Sequence, residues 1–181
     1  MAAARVLTPE LMYRAAVVVA LVDAAFAALL WRWVGTDGVR RARGPLAAVA
    51  GLFWLGVWVA VHSLAWESVY SHVFAAWARW IVPPFYAVGF AALTLLWRAL
   101  ALRAGRWAVP AWVALWGATG ALTHTYAVFA RGLLERSPML QHLTPASAVV
   151  FATCEFAFYG CVILTIATRV QRVLERRRGT T

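Results

Sequence analysis

Residues 146–168 read ASAVVFATCEFAFYGCVILTIAT, a run of hydrocarbon, aromatic and small side chains with one formal charge, Glu155, near its middle. A helix needs roughly 20 apolar residues to cross about 30 Å of hydrocarbon, so this run is long enough to span a bilayer. Thr144 and Pro145 just before it supply an N-cap and a proline at the first helical position. Working outward, four more stretches have the same character: 13–34, 46–66, 85–102 and 107–130. Five such runs in 181 residues leave little for a soluble domain, and 64% hydrophobic against 13% charged residues lies far from ordinary soluble usage. The fold class expected is all-α: one polytopic integral membrane domain over 1–181, a five-helix bundle in the cell membrane. The first run is too long for a signal-peptide core and ends in Trp31, Arg32 and Trp33, so it is read as a retained helix.

Punctuation between the runs sets their boundaries. Thr8, Pro9 and Glu10 form a helix start. Gly35, Thr36, Asp37 and Gly38 are expected to end the first span, and Gly44-Pro45 to precede the second. In 68–82, Tyr70, Phe74, Trp77 and Ile81 recur at helical spacing while Ser71, His72 and Arg79 fall elsewhere, which predicts a short interfacial helix. Pro83-Pro84 is then expected to turn the chain back into the bilayer. No internal repeat or second domain is visible.

All 17 basic residues are arginine. With five spans, one side receives Arg32, Arg40, Arg41, Arg43, Arg98, Arg103, Arg106, Arg169, Arg172 and Arg176 to Arg178, and the other receives only Arg5, Arg14, Arg79, Arg131 and Arg136. The richer side is assigned to the cytoplasm, so the N-terminus is expected outside and the C-terminus inside. The net charge of +10 then orients the protein and meets anionic headgroups. A nucleic-acid partner is not expected, because no soluble fold presents a basic face.

Ionisable residues inside spans are costly and mark functional positions or helix contacts. Asp23 and Glu155 fall roughly 14 to 15 Å into the first and fifth spans, and His62 and His124 roughly 6 to 9 Å below the outer interface in the second and fourth. Together they predict an intramembrane His/carboxylate pocket that opens outward. Tyr159, one turn from Glu155, is its expected hydrogen-bond partner, and Trp58 and Trp66 lie one turn either side of His62. Asp23 shares a face with Ala16, Ala20 and Ala27, and His124 with Gly117, Gly120 and Ala121, which suits close helix contact. The plainer reading is that each polar group only hydrogen-bonds a neighbouring helix. His72 and His142, in connections, are read that way, and Glu67 and Glu135, at the water boundary, are read as solvated. Trp31, Trp33, Trp66, Trp77, Trp80 and Trp107 form interfacial belts, whereas Trp54, Trp58, Trp112 and Trp116 lie deeper, as lipid-facing bulk or pocket lining.

Metal ligation is not expected, since no i, i+4 pair of histidines brackets a glutamate. Cys154 and Cys161 read as small apolar residues. The leading functional expectation is a membrane-embedded enzyme doing acid/base chemistry on a lipophilic isoprenoid- or sterol-like substrate, an isomerisation or cyclisation. Glu155 or Asp23 would donate a proton, His62 or His124 would accept one, and aromatic faces would steady positive charge. In architecture this is similar to sterol isomerases of the emopamil-binding type, which place His and acidic residues inside a small five-helix bundle. The alternatives are a haem b subunit ligated by His62 and His124, a proton-coupled transport or accessory protein, and a purely structural subunit. Expected partners are membrane lipid and a lipophilic small molecule, with a homo-oligomer or larger membrane complex left open.

Overall fold

The structure, a computed structural model, describes residues 9–67, 70–72, 74–130, 132–136 and 143–179. Among these residues it is helical throughout its regular elements, with no strand. The helices are α1 (Pro9–Arg41), α2 (Arg43–Ala65), α3 (Ala78–Leu102), α4 (Ala108–Thr125), the short α5 (Leu133–Arg136) and α6 (Pro145–Arg178). Four of them, α1, α2, α3 and α6, are long and apolar enough to cross a membrane. Helix α4 is shorter, runs on through a π turn at Tyr126–Ala130, and completes the bundle as a mostly enclosed fifth member. Side chains such as Leu52, Phe85 and Leu122 are more than two-thirds exposed, the outward apolar character of helices that face lipid. The chain therefore has the build of a multi-pass membrane protein.

Several boundaries differ from the sequence reading, each for a local reason. Gly35 does break α1, at φ 58° and ψ −172°, but the helix resumes and runs to Arg41. A left-handed φ is open to glycine without a Cβ penalty. Only Ala42 separates α1 from α2, so Gly44 and Pro45 do not form a break; they sit in the first turn of α2, where the missing proline N–H has no intrahelical partner to lose. Arg98 closes this corner by donating to the carbonyls of Val39 and Arg40 at the end of α1, carbonyls that a helix end otherwise leaves unsatisfied. Pro83-Pro84 does not turn the chain. Both prolines lie inside α3, which begins at Ala78 after a tight start in which Ala78, Arg79 and Trp80 bond three residues back. Between 66 and 77 the described residues form only a 3-10 turn at Tyr70–His72 in place of the expected surface helix. Thr144 caps α6 as its position predicts, accepting from the Ser147 amide at 3.1 Å. That helix then runs well past 168, carrying Arg169 to Arg178 out of the apolar zone.

Helix α6 is the axis of the bundle. It lies along α4 and α1, meets α2 on a third side, and α3 packs on α2. The α4 contact is made by missing side chains. A Cβ on Gly120 would collide with the Ala152 carbonyl group, and one on Gly160 would collide with the Trp116 ring. Such approach is what drives helix association in lipid, where burial of apolar surface gives no net gain. The deep tryptophans resolve as core: Trp54, Trp112 and Trp116 are fully buried. Trp112 donates to the Gly160 carbonyl at 2.9 Å and Trp54 to the Thr94 hydroxyl at 3.2 Å. Trp66, expected in an interfacial belt, is buried instead beneath Arg79, whose guanidinium stands 5.9 Å from its ring centre. The other belt residues, Trp31, Trp33, Trp77, Trp80 and Trp107, are exposed.

Candidate functional site

The last turn of α2 points His62 inward, at 1% exposure, into a cage of rings. Trp58 and Trp66 contact it from one turn either side, each at 6.0 Å between centroids. Tyr70, from the 3-10 turn, stacks on its face at 4.2 Å and 16°, with Phe74 beyond. Among the described residues, neither ring nitrogen of His62 has a hydrogen-bond partner. A buried polar group left unpaired costs about 1–3 kcal/mol, and native structures carry few of them. His62 is thus an enclosed imidazole with unmet hydrogen-bonding capacity.

Half-buried Glu155 projects from α6 toward the same region, and the Tyr159 hydroxyl donates to its Oε1 at 2.5 Å. One turn of helix separates the two residues, so the backbone alone sets this pairing. The Tyr159 ring is held edge-on by Phe53 at 5.6 Å and Trp54 at 5.7 Å, which fixes the hydroxyl. Tyr70 links this pair to His62. Its phenol is pushed up to about 12, first by burial and then by the nearby Glu155 and Tyr86. Tyr86 in turn stacks on Trp58 at 4.6 Å. Two ring-walled clusters result, Glu155–Tyr159 with Phe53 and Trp54 and His62–Tyr70 with Trp58, Trp66 and Phe74, and they are bridged by Phe90 of α3, which touches both Trp54 and Trp58.

The other two expected members stand apart from them. Asp23 is buried on α1, its Oδ1 without a partner. One turn along α1 from it, Phe26 meets Phe158 of α6 at 6.1 Å. His124 lies edge-on to Phe156 at 6.3 Å, its Nδ1 near the Gly120 carbonyl without meeting hydrogen-bond geometry. Its helix-mates Gly117 and Gly120 pack on α6 as their spacing suggests. Between His62 and His124 the interior is filled by Trp54 against Trp116 at 5.1 Å, with Phe90 and Phe156 beside them.

Two site residues, Tyr70 and Tyr86, are not singled out by the sequence. Its pattern puts Tyr70 on the lipid-facing side of a surface helix, and only the turn that replaces that helix brings it back over His62. Tyr86 lies four residues before Phe90 in an evenly apolar run, where nothing but the fold distinguishes it. His72 lies in the 3-10 turn, and His142 falls outside the described residues. Compared with models of protein families, with curated proteins and with solved structures, the chain matches none.

Proposed function

We propose that this multi-pass bundle is a membrane-embedded enzyme that moves a double bond, or closes a ring, in an isoprenoid- or sterol-like lipid by proton transfer. The observation that carries this reading is the hydrogen-bonded Glu155–Tyr159 pair set against Phe53 and Trp54, with the ring-caged His62 about two turns further along α2 from Trp54. Tyr159 occupies Oε1 of Glu155, so Oε2 is the oxygen left to deliver a proton to a substrate alkene. The resulting carbocation would be steadied by the faces of Phe53, Trp54 and Tyr159. His62, with both nitrogens free of hydrogen bonds, would take a proton from the neighbouring carbon and restore the alkene at its new position. Substrate and product then have the same composition, and return of one proton from His62 to Glu155, by way of Tyr70, resets the site. Because Tyr70 lies on His62 and is carried by a connection, its displacement is the route by which substrate would enter. Asp23 serves in this scheme as a separate buried carboxyl of the α1–α6 contact.

The same reading places the protein in the cell membrane with its N-terminus outside and its C-terminus in the cytoplasm. The arginine-bearing helix ends do meet. Arg98 reaches the end of α1, Arg172 donates to the Trp33 carbonyl, and Trp31 touches Trp107 at 5.0 Å. The cytoplasmic side takes the arginine-rich end by the positive-inside rule.

A mixed pool of lipids, in which any member can serve as substrate, provides the test. Protein reconstituted with a total lipid extract of its native membrane is incubated in D2O, and extracted lipids are analysed by mass spectrometry. The wild type is expected to place deuterium at allylic carbons of one lipid class, and Glu155→Gln and His62→Phe are expected to abolish it. No labelling by a folded wild type, or labelling that survives Glu155→Gln, would overturn the proposal.

A further inference from the structure

Residues 90–97 of α3 read FAALTLLW, and the one hydroxyl in that apolar run, on Thr94, is fully buried. A hydroxyl in hydrocarbon needs a partner, and a helical threonine has one at hand in the carbonyl four residues back. Thr94 takes it, its Oγ1 donating to the Phe90 carbonyl at 2.7 Å. That uses the single proton of the hydroxyl, so towards any other neighbour the oxygen can only accept. The neighbour is Trp54 of α2, whose Nε1 has only a proton to give and donates to Thr94 Oγ1 at 3.2 Å. The relay therefore runs in one direction, from indole to hydroxyl to backbone, and both side chains are out of reach of solvent.

This relay fixes the plane of the indole. Trp54 has Phe90 at 4.8 Å and Trp116 at 5.1 Å between centroids, and apolar packing, being non-directional, holds a ring in place without choosing where its N–H points. The hydrogen bond to Thr94 makes that choice. Against the plane so fixed, the Tyr159 ring stands at 88° with 5.7 Å between centroids, and the Tyr159 hydroxyl donates to Glu155 Oε1. An edge-on contact depends on the orientation of the ring it meets, so turning the indole would tilt Tyr159 and shift the oxygen that holds Glu155. We infer that Thr94 is a positioning residue for Glu155: through Trp54 it sets the tilt of Tyr159 and so the place of the carboxyl that delivers the proton, a role that rests on the acid/base reading above. Among the described residues no hydrogen bond joins Thr94 to Glu155 or Tyr159, so Thr94 acts at one remove.

The bundle supplies its own control. Further along α3, Trp97 donates to the Thr119 hydroxyl of α4 at 2.8 Å, and Thr119 donates to the Leu115 carbonyl at 2.8 Å. The same three groups in the same order tie α3 to α4, but Tyr159 packs on Trp54, Phe53 and Phe156, none of which this second relay holds. Loss of either relay strands one tryptophan N–H and weakens the bundle. Only the first is aimed at Glu155.

The test reads Tyr159 directly. In the detergent-purified full chain labelled with ring carbon-13 tyrosine, the infrared C–O stretch of Tyr159 is isolated as the difference between each protein and the same protein carrying Tyr159→Phe, and deuterium exchange into lipid is measured alongside. Thr94→Val keeps the shape of threonine and removes the hydroxyl. It is expected to shift the Tyr159 band and to slow the exchange by about a hundredfold, the loss that a misplacement of about 1 Å brings. Thr94→Ser, which restores the relay, should return both to their wild-type values, and Thr119→Val should leave both unchanged. If the valine variant does not fold, Thr94→Cys, whose thiol accepts only weakly, should show the same shift in part. A band that stays in place in these variants, that moves as far in Thr119→Val, or that Thr94→Ser does not restore would overturn the assignment. Exchange by the wild type with a band unmoved by Thr94→Val removes Thr94 and leaves the acid/base reading standing. A moved band without exchange by the wild type removes that reading and keeps Thr94 as the residue that sets the pair.

Discussion

Against α4, helix α6 is approached so closely that a methyl group on Gly120 would collide with the Ala152 carbonyl, whereas against α2 it presents Glu155 and Tyr159 to a wall of rings. On the first side the tryptophan N–H of Trp112 finds the Gly160 carbonyl, while Trp116 Nε1 and His124 Nδ1 are buried without a partner among the described residues. On the second side His62 keeps two buried nitrogens unpaired. In lipid, where packing and hydrogen bonds supply the association energy, the first contact is made backbone against backbone at Gly120 and the second by side chains alone. The difference separates scaffold from site: a residue whose removal costs stability belongs to the α4 side, and one whose removal costs only activity belongs to the α2 side.

The largest effect expected is therefore on the glycine side. Gly120→Val must displace the backbone of α6, because the atoms it meets are the Ala152 carbonyl group and the Phe156 Cβ. Overpacking of this kind costs about 3 kcal/mol or more when the neighbour cannot yield. Thermal unfolding in detergent should show a much lower midpoint, or no folded protein at all. A midpoint close to wild type would mean that α4 and α6 stand further apart than this contact requires, and the contrast between the two sides would fail.

On the other side the sign reverses. His62→Phe fills the same space with a ring that has no polar atom to bury, and it keeps the stacking on Tyr70. Removing an unpaired buried group relieves a penalty of about 1 kcal/mol, so this variant should melt at a higher temperature than wild type while losing the deuterium exchange assigned to the site. A lower melting temperature would show that His62 is bonded and belongs to the scaffold. An unchanged exchange would remove it from the chemistry.

How much of this is legible in the sequence depends on the range of the interaction. The apolar runs, the Thr144 cap and the Tyr159–Glu155 pair are local, set within one or two helical turns; four of the five runs appear as helices long and apolar enough to span, with shifted ends, and the cap and the pair appear where the sequence puts them. The Gly117 and Gly120 face is legible too, because small residues at helical spacing have few other uses in lipid. Rotation and connection are not. Nothing in the sequence says which way α1 is turned about its axis, so Asp23 cannot be told from a partner of Glu155. Pro83-Pro84 reads as a turn by its chemistry, yet neighbouring segments stabilise the helix through it. The surface helix expected before that turn is what carries Tyr70 to the wrong side of the chain. Gly35 reads as a break, yet the helix resumes beyond this left-handed residue and runs to Arg41.

The smallest effect, and the sharpest on the site itself, concerns Tyr70, since it acts only in alkaline solution. Its phenol in the folded protein is held near 12, against about 10 for a free tyrosine, so the fold favours the protonated ring. Its contribution to stability is then fully present below about pH 10 and is lost as the pH rises from about 10 through about 12. Tyr70→Phe has no proton to lose, and its stability should decline less steeply across that window. Phenolate absorbance should likewise show one fewer late-ionising tyrosine in the variant than in wild type. If Tyr70 ionised near the free-tyrosine value, it would stand clear of Glu155 and His62, the α2 side would be open to solvent, and the entry of substrate would not require its displacement. If it ionises late, the ring that covers His62 is seated at neutral pH, and what distinguishes the two sides of α6 is that one is closed by backbone contact and the other by side chains alone.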